Sequence, residues 1–479
     1  MNKHNCEPSQ QSDGLKENDI TSWDRLRNRV TDELDSSLGI YVLNQALIRL
    51  ERDVNLLTAQ GSDGISTSRL AVLCHEYAHY LHNFSTPTGA YQFVAQLRLL
   101  RLFINTVDGS GRSGGSTRLD ARATTHLAAC LTWFNHLKGT YFHSRSQDAL
   151  ELGSVKMDTT ASANFDNQQL DLVSVQATFT ASVSGKILEV GTCAIGNTVI
   201  CEGLAWEVER MVHMAMEEST DFVDKGTPQS PYKLARCLFE GITKKSPDSE
   251  TMAKILLLAL FSTDPGHALV AIAETIKECG HEPIEESLRF VVNKTSTAKY
   301  IDVAIESIRS EIKGFDERGA AGRGLIALAE RSIALLEARK EDLFFEIDGF
   351  KRIVEPDVLQ NLISKYPPCP ILQVEESSVG LVLVGQAHHD KTKLEELGAV
   401  QAMMQFMGSH LTMSGIVSTG QARRSPCRFF GACGLDGSSD PNGPCNSEPW
   451  TKFDPQLSVG CWYAAGVSSS LGYQSYPEA

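Results

Sequence analysis

The sequence predicts an α+β fold that is predominantly helical, with a small β-hairpin or sheet and a Cys-rich C-terminal tail. Three observations lead there. Apolar residues recur at three-to-four spacing over most of the chain and almost without interruption from 232 to about 350. Strict alternation with β-branched residues is concentrated between 170 and 195. The last fifty residues are rich in Gly, Pro and Cys and carry little periodicity.

Taken in order, residues 1–22 are polar and are expected to be disordered. From Trp23 to about Leu57 the spacing of Val42, Leu43, Leu47 and Leu50 reads as a helix. Ser66 or Ser68 is placed to cap the next one, which runs through "VLCHEYAHYLHNFST" at 72–86. "STPTGA" at 85–90 breaks it, a further helix follows to Val107, and "DGSGRSGGS" at 108–116 reads as a flexible surface loop. That loop lacks the Lys-Ser/Thr ending of a nucleotide-binding P-loop. After a helix near 118–138, "LDLVSVQATFTASV" and "KILEVGTCAI" form a predicted hairpin, and "NTVICEGLAWEVERMVHMAM" returns to helical periodicity. Beyond 350, short strands such as "GLVLVG" and a helix near 392–412 precede the tail.

The chain has 479 residues, which implies more than one domain. Its 44 Lys+Arg against 59 Asp+Glu give a net charge of −15, which argues against nucleic acid and anionic membrane surfaces as partners. The strongest apolar run, "ILLLALF" at 255–261, is far short of a membrane helix. The N-terminus shows no apolar signal segment, so a cytoplasmic location is expected, with non-classical secretion left open.

The chemistry is concentrated in His75, Glu76 and His79. On a helix, two histidines four apart lie one turn apart on one face, and both imidazoles can reach a single ion. Glu76, turned about 100° from His75, falls where a general base for a water should sit. Leu70, Leu73, Tyr77, Leu81 and Phe84 form a separate apolar stripe that buries the helix. The plain alternative is two histidines on a polar helix face. A catalytic zinc site needs a third protein ligand. His82 shares the face, but three ligands in a row along one helix surround an ion poorly, so the third is sought elsewhere.

"ICEGLAWEVE" at 200–209 offers Glu202, with Gly203 and Ala205 small enough for close helix packing. Here the chain resembles the gluzincins, metallopeptidases whose third zinc ligand is a glutamate on a helix after the motif helix. Glu202, Gly203, Ala205 and Glu209 stand in register with the Glu-Gly-x-Ala-x-x-x-Glu signature of the aminopeptidases in that group. The resemblance implies that His75, His79 and Glu202 bind Zn²⁺, that Glu76 polarises the attacking water, and that Glu209 supports a ligand or pairs in the interior. It implies a zincin-like catalytic domain at 23–225, followed by a helical domain at 226–350 and a mixed region with the Cys cluster at 351–479. The Gly-Ala-Met-Glu-Asn element that grips a substrate amino terminus is absent, so the expectation is hydrolysis of a protein or peptide substrate without an assigned end preference. The 170–200 hairpin is a candidate edge for an extended substrate. Tyr232 and His213 are the downstream candidates for stabilising an oxyanion, and that role stays unassigned. A non-catalytic zincin scaffold that serves binding or regulation is the alternative function.

Twelve cysteines without a signal segment point to free thiols or metal ligands. Cys427, Cys433, Cys445 and Cys461, at spacings x5, x11 and x15, suit a second structural zinc or an iron–sulfur cluster. Unpaired core thiols and disulfides stay open beside it, as does a metal-cluster protein built on this tail. His388 and His389 read as loop residues.

Overall fold

The helix bearing His75, α1 (Thr67–Ser85), follows Ser66, which takes the N-cap position without a side-chain cap bond. All five residues of its predicted apolar stripe are buried, as are Glu76 and His82, so α1 is a central helix. It ends at Thr86, whose hydroxyl donates to His82 O (2.7 Å) and accepts from Gly89 N (3.1 Å). Pro87 then opens the next helix, where its missing N–H costs nothing. A Cβ at Gly89 would lie 2.3 Å from Asn83 O, so only glycine permits this tight joint.

A computed structural model gives this fold; it describes residues 39–42, 47–50, 66–142, 150–165, 168–183, 186–295, 297–315, 317, 319–355, 358, 361–362, 370–374, 379–383, 391–430, 440, 442–453 and 461–471. In chain order, strands β1 (Gly39–Val42) and β2 (Leu47–Leu50) precede α1, α2 (Pro87–Ile104) and α3 (Ala121–Lys138). Strands β3 (Leu150–Phe165), β4 (Gln168–Val183) and β5 (Lys186–Ile195) come next. The helices α4 (Asn197–Ala215), α5 (Asp221–Gly226), α6 (Leu234–Thr243), α7 (Ser249–Ala259) and α8 (Pro265–Glu278) follow. Then come α9 (Ile284–Lys294), α10 (Thr297–Ile312), α11 (Ala320–Glu341) and α12 (Phe345–Lys351). Strands β6 (Pro370–Val374) and β7 (Val379–Leu383), helix α13 (Lys391–His410), the two-residue strands β8 (Leu411–Thr412) and β9 (Gly415–Ile416), and α14 (Trp462–Leu471) complete the order. The chain is thus predominantly helical with small, mainly antiparallel sheets. Leu38–Ala479 forms one compact unit, in which α1 packs along α4 and against α11. Among the described residues, no helix is long and apolar enough to cross a membrane.

Two sequence expectations change. The helix expected over Trp23–Leu57 is, where described, the antiparallel pair β1–β2, with Val42 opposite Leu47 and Gly39 opposite Leu50. Two short strands joined by four residues place apolar side chains at 42, 43, 47 and 50, which mimics a helical stripe. What decides the outcome is distant: β2 pairs in parallel with β6, Ile48 opposite Ile371, and β6 pairs with β7. Residues 1–22, with the rest of the Trp23–Leu57 segment, lie outside the described residues.

The 108–116 loop is also tied down. Ser113 is buried, its hydroxyl pairs with that of Thr106 (2.8 Å), and Gly114 bridges to Ser418. The expected β4–β5 hairpin is present with a third strand, β3, on the other side of β4. Residues 151–159 of β3 are all exposed or half-exposed, so this strand shows no apolar alternation and is held by its ladder to β4.

Candidate metal centre

α1 and α4 bring three predicted ligands to one point. His79 Nε2 lies 3.1 Å from His75 Nε2, and Glu202 Oε2 lies 3.7 Å from the first histidine and 3.5 Å from the second. Donor atoms about 2.0–2.1 Å from a tetrahedral zinc stand about 3.4 Å apart. The three observed separations bracket that value. Among the described residues, this is the only group of three His, Cys, Asp or Glu side chains with donor atoms gathered closely enough to hold an ion.

Glycine 203 explains how α4 reaches this position. A Cβ there would meet Ala235 Cβ at 3.2 Å and Tyr232 O at 3.3 Å, so the 232–235 segment lies directly on the helix. It carries the Tyr232 ring to 6.0 Å from the His75 ring. Tyr232, one of two downstream candidates, therefore stands beside the face of α1 that carries His75 and His79. His213 does not. Its Nδ1 lies 3.0 Å from Glu218 Oε2, and Glu218 accepts from the Thr67 hydroxyl at 2.6 Å, which clips the end of α4 to the start of α1.

Glu209, two turns beyond Glu202, approaches the other nitrogen of His75. Its Oε1 is 2.6 Å from His75 Nδ1, a close ion-pair contact in which the N–H does not point at the oxygen. A carboxylate there favours the proton on Nδ1 and leaves the Nε2 lone pair for an ion. Burial disfavours charge on His75, but Glu209, Glu202 and Glu76 outweigh it and raise its pKa well above the ordinary value. Burial pushes the Glu76 carboxyl upward, against the pull of His75 and His79. Burial acts the same way on Glu202, but the imidazoles of His79 and His75 prevail and hold it far below the usual carboxylate range. Three carboxylates around two imidazoles form an acidic pocket suited to a divalent cation.

No family model, curated protein or solved structure matches this chain. The reading of the site therefore stands on its own residues.

His82, on the same predicted face as His75, points into a different environment. Its Nε2 lies 3.2 Å from Glu346 Oε1, and Glu346 is ion-paired with Arg339, all three side chains having no solvent exposure. Arg339 also donates to Ser85 Oγ (2.8 Å) and Leu343 O (2.8 Å). This interior ion pair fastens the C-terminal turn of α1 to α11 and α12. Nothing in the sequence pattern links positions 82, 339 and 346.

Of the tail cysteines, Cys427 is buried and Cys445 and Cys461 are half-buried, and Cys427 N donates to Cys445 O at 2.7 Å. These three do not by themselves bring three sulfurs together. Cys433, His388 and His389 lie outside the described residues.

Proposed function

We propose that the chain is a zinc-dependent hydrolase with a zincin-like core, a metallopeptidase that cleaves peptide bonds with Glu76 as its general base. The observation that carries this reading is the convergence of His75, His79 and Glu202 at tetrahedral ligand spacing, with Glu76 buried beside them. His75 and His79 would hold the ion through Nε2 and Glu202 through a carboxylate oxygen. When bound, zinc supplies a Lewis acid that polarises a carbonyl and acidifies a water.

The rest of the work falls to side chains of this chain. Glu76 takes a proton from the attacking water and returns it to the leaving amine, a role favoured by a carboxyl that burial shifts toward neutral pH. Glu209 keeps the His75 ring turned so that Nε2 faces the site. Tyr232, with its ring near His75, is the candidate to donate a hydrogen bond to the carbonyl oxygen as it gains charge. An intact Glu76 favours catalysis over a scaffold role, because holding an ion needs no base.

Metal counting and a peptide-cleavage assay test the proposal together. The purified chain is expected to carry zinc at this site, to lose it on His75→Ala, and to keep it on Glu76→Gln while losing cleavage. Cleavage retained by Glu76→Gln would rule out the mechanism. A further equivalent of zinc, or a coloured cluster, lost on Cys427→Ser would assign the tail cysteines to metal.

A further inference from the structure

Beside the metal centre, three cations surround one buried indole. Arg210 Cζ lies 4.9 Å from the Trp206 ring centroid, Lys233 Nζ 5.5 Å and Arg236 Cζ 6.0 Å. The two arginines are neutralised. Arg210 pairs with Glu207 (3.1 Å) and Asp224 (3.1 Å), and Arg236 pairs with Glu207 (2.7 Å) and Glu240 (3.1 Å).

Lys233 differs. It is half-buried, its ammonium donates to the main-chain oxygen of Asp224, and no carboxylate among the described residues lies within ion-pair distance of it. Burial pulls its pKa below the ordinary lysine value. The Asp224 carboxylate acts on it only through space, so the ammonium keeps donor capacity that no direct ion pair takes up. Two further donors nearby lack acceptors: the buried Trp206 Nε1 and Arg236 Nη2. Neutral and charged donors thus flank the same indole with hydrogen-bonding capacity unused.

The position of this cluster gives it meaning. Trp206 is one turn after Glu202 on the same side of α4, about 6 Å along the axis. Lys233 directly follows Tyr232, whose ring stands 6.0 Å from that of His75. A displacement of about 6 Å matches roughly two residues of an extended peptide.

We infer that Lys233 and Trp206 form an anion subsite beside the candidate metal centre, which receives a carboxylate carried by the substrate within about two residues of the scissile bond. This rests on the peptidase reading and narrows it to acidic peptides. The carboxylate comes from an acidic side chain or a free C-terminus, and both would make the same charge-assisted hydrogen bonds. The overall charge of −15 disfavours acidic peptides at long range, so a dedicated local cation is what would admit them.

The test uses the full-length, zinc-loaded chain and pools of N-acetylated hexapeptides with one position fixed as Glu or Gln, each as free acid and C-terminal amide. Cleavage is read by mass spectrometry. Binding is read by calorimetry on the Glu76→Gln chain, so it stays measurable whatever the turnover. Wild-type protein is expected to favour either Glu over Gln or free acid over amide by about tenfold or more. Lys233→Met should bring that ratio close to one, and Trp206→Phe, which removes the indole N–H, should reduce it in part. Thermal melting identifies any variant that fails to fold, and the other variant then decides.

A Glu preference assigns the side-chain carboxylate; a free-acid preference assigns the terminus. Equal handling of all four pools, or a preference that survives both substitutions, overturns the subsite and leaves the hydrolase reading standing. If nothing is cleaved but binding shows the Lys233-dependent ratio, the hydrolase reading falls, the placement beside a scissile bond falls with it, and Lys233 and Trp206 stand as an anion site for a bound peptide.

Discussion

Replacing Glu209 tests the supporting contact of the candidate metal centre without touching a proposed ligand. Glu209 Oε1 sits 2.6 Å from His75 Nδ1, and its side chain is only 19% exposed, so water screens the contact weakly. The contact is a close ion pair that becomes a charged hydrogen bond once the N–H turns to the oxygen. A hydrogen bond to a charged group contributes about 1.5–3 kcal/mol, against about 0.5–1.5 kcal/mol for a neutral one. Glu209→Gln keeps the shape and an acceptor oxygen but loses the charge, a difference of about 1–1.5 kcal/mol. That corresponds to roughly a tenfold weaker zinc affinity. Glu209→Ala removes the contact entirely and is expected to approach a hundredfold, the upper range for losing such a partner. The assay is competition with a chromogenic chelator at neutral pH, with thermal melting of the metal-free proteins as a folding control. An unchanged zinc affinity in folded Glu209→Ala would refute the claim that this carboxylate orients His75.

Three other perturbations follow from the same geometry. Gly203→Ala inserts a Cβ at 3.2 Å from Ala235 Cβ and 3.3 Å from Tyr232 O, so it should cost about 1–3 kcal/mol and, by displacing Tyr232, lower kcat more than it raises KM. Arg339→Met leaves Glu346, whose pKa Arg339 helps to hold down at about 2 against burial, without its ion partner in the interior. Urea denaturation should show a loss of about 3–5 kcal/mol. His410 is enclosed by Phe103, Phe406 and Trp450, and burial lowers its pKa from 6.5 to about 4. The unfolded chain then binds a proton at higher pH than the folded one, so stability is full above about 6.5 and falls as pH drops toward 4. The loss from this residue is about 3 kcal/mol, and denaturant titrations of His410→Gln across that window should lack it.

The candidate metal ligands were legible because each half of the site is a local pattern. His75 and His79 lie one turn apart on any helix, and Glu202 with Gly203 and Ala205 marks a helix that can approach closely. Their meeting across a separation of 123 positions was an inference from chemistry, which needs a third ligand, and the α1–α4 packing supplies it. Tyr232 was one of two undistinguished candidates. Only the tight seat of its backbone on Gly203 separates it from His213, which the sequence places on the same helix as Glu202 but which turns to Glu218.

What the sequence by itself determined is the predominantly helical α+β character, the β4–β5 hairpin, the break at Thr86 and Pro87, and the apolar stripe that buries α1. These depend on interactions within a turn or a strand, so residue spacing records them. Tertiary structure alone decided that residues 39–42 and 47–50 form strands, because β2 is completed by β6 more than 300 positions away. It alone turned His82 toward Glu346 and left Lys233, among the described residues, with no carboxylate at ion-pair distance beside the candidate metal centre. Distant pairings leave no periodic trace in a chain, because the partner's identity depends on which faces pack, and packing is a property of the whole core.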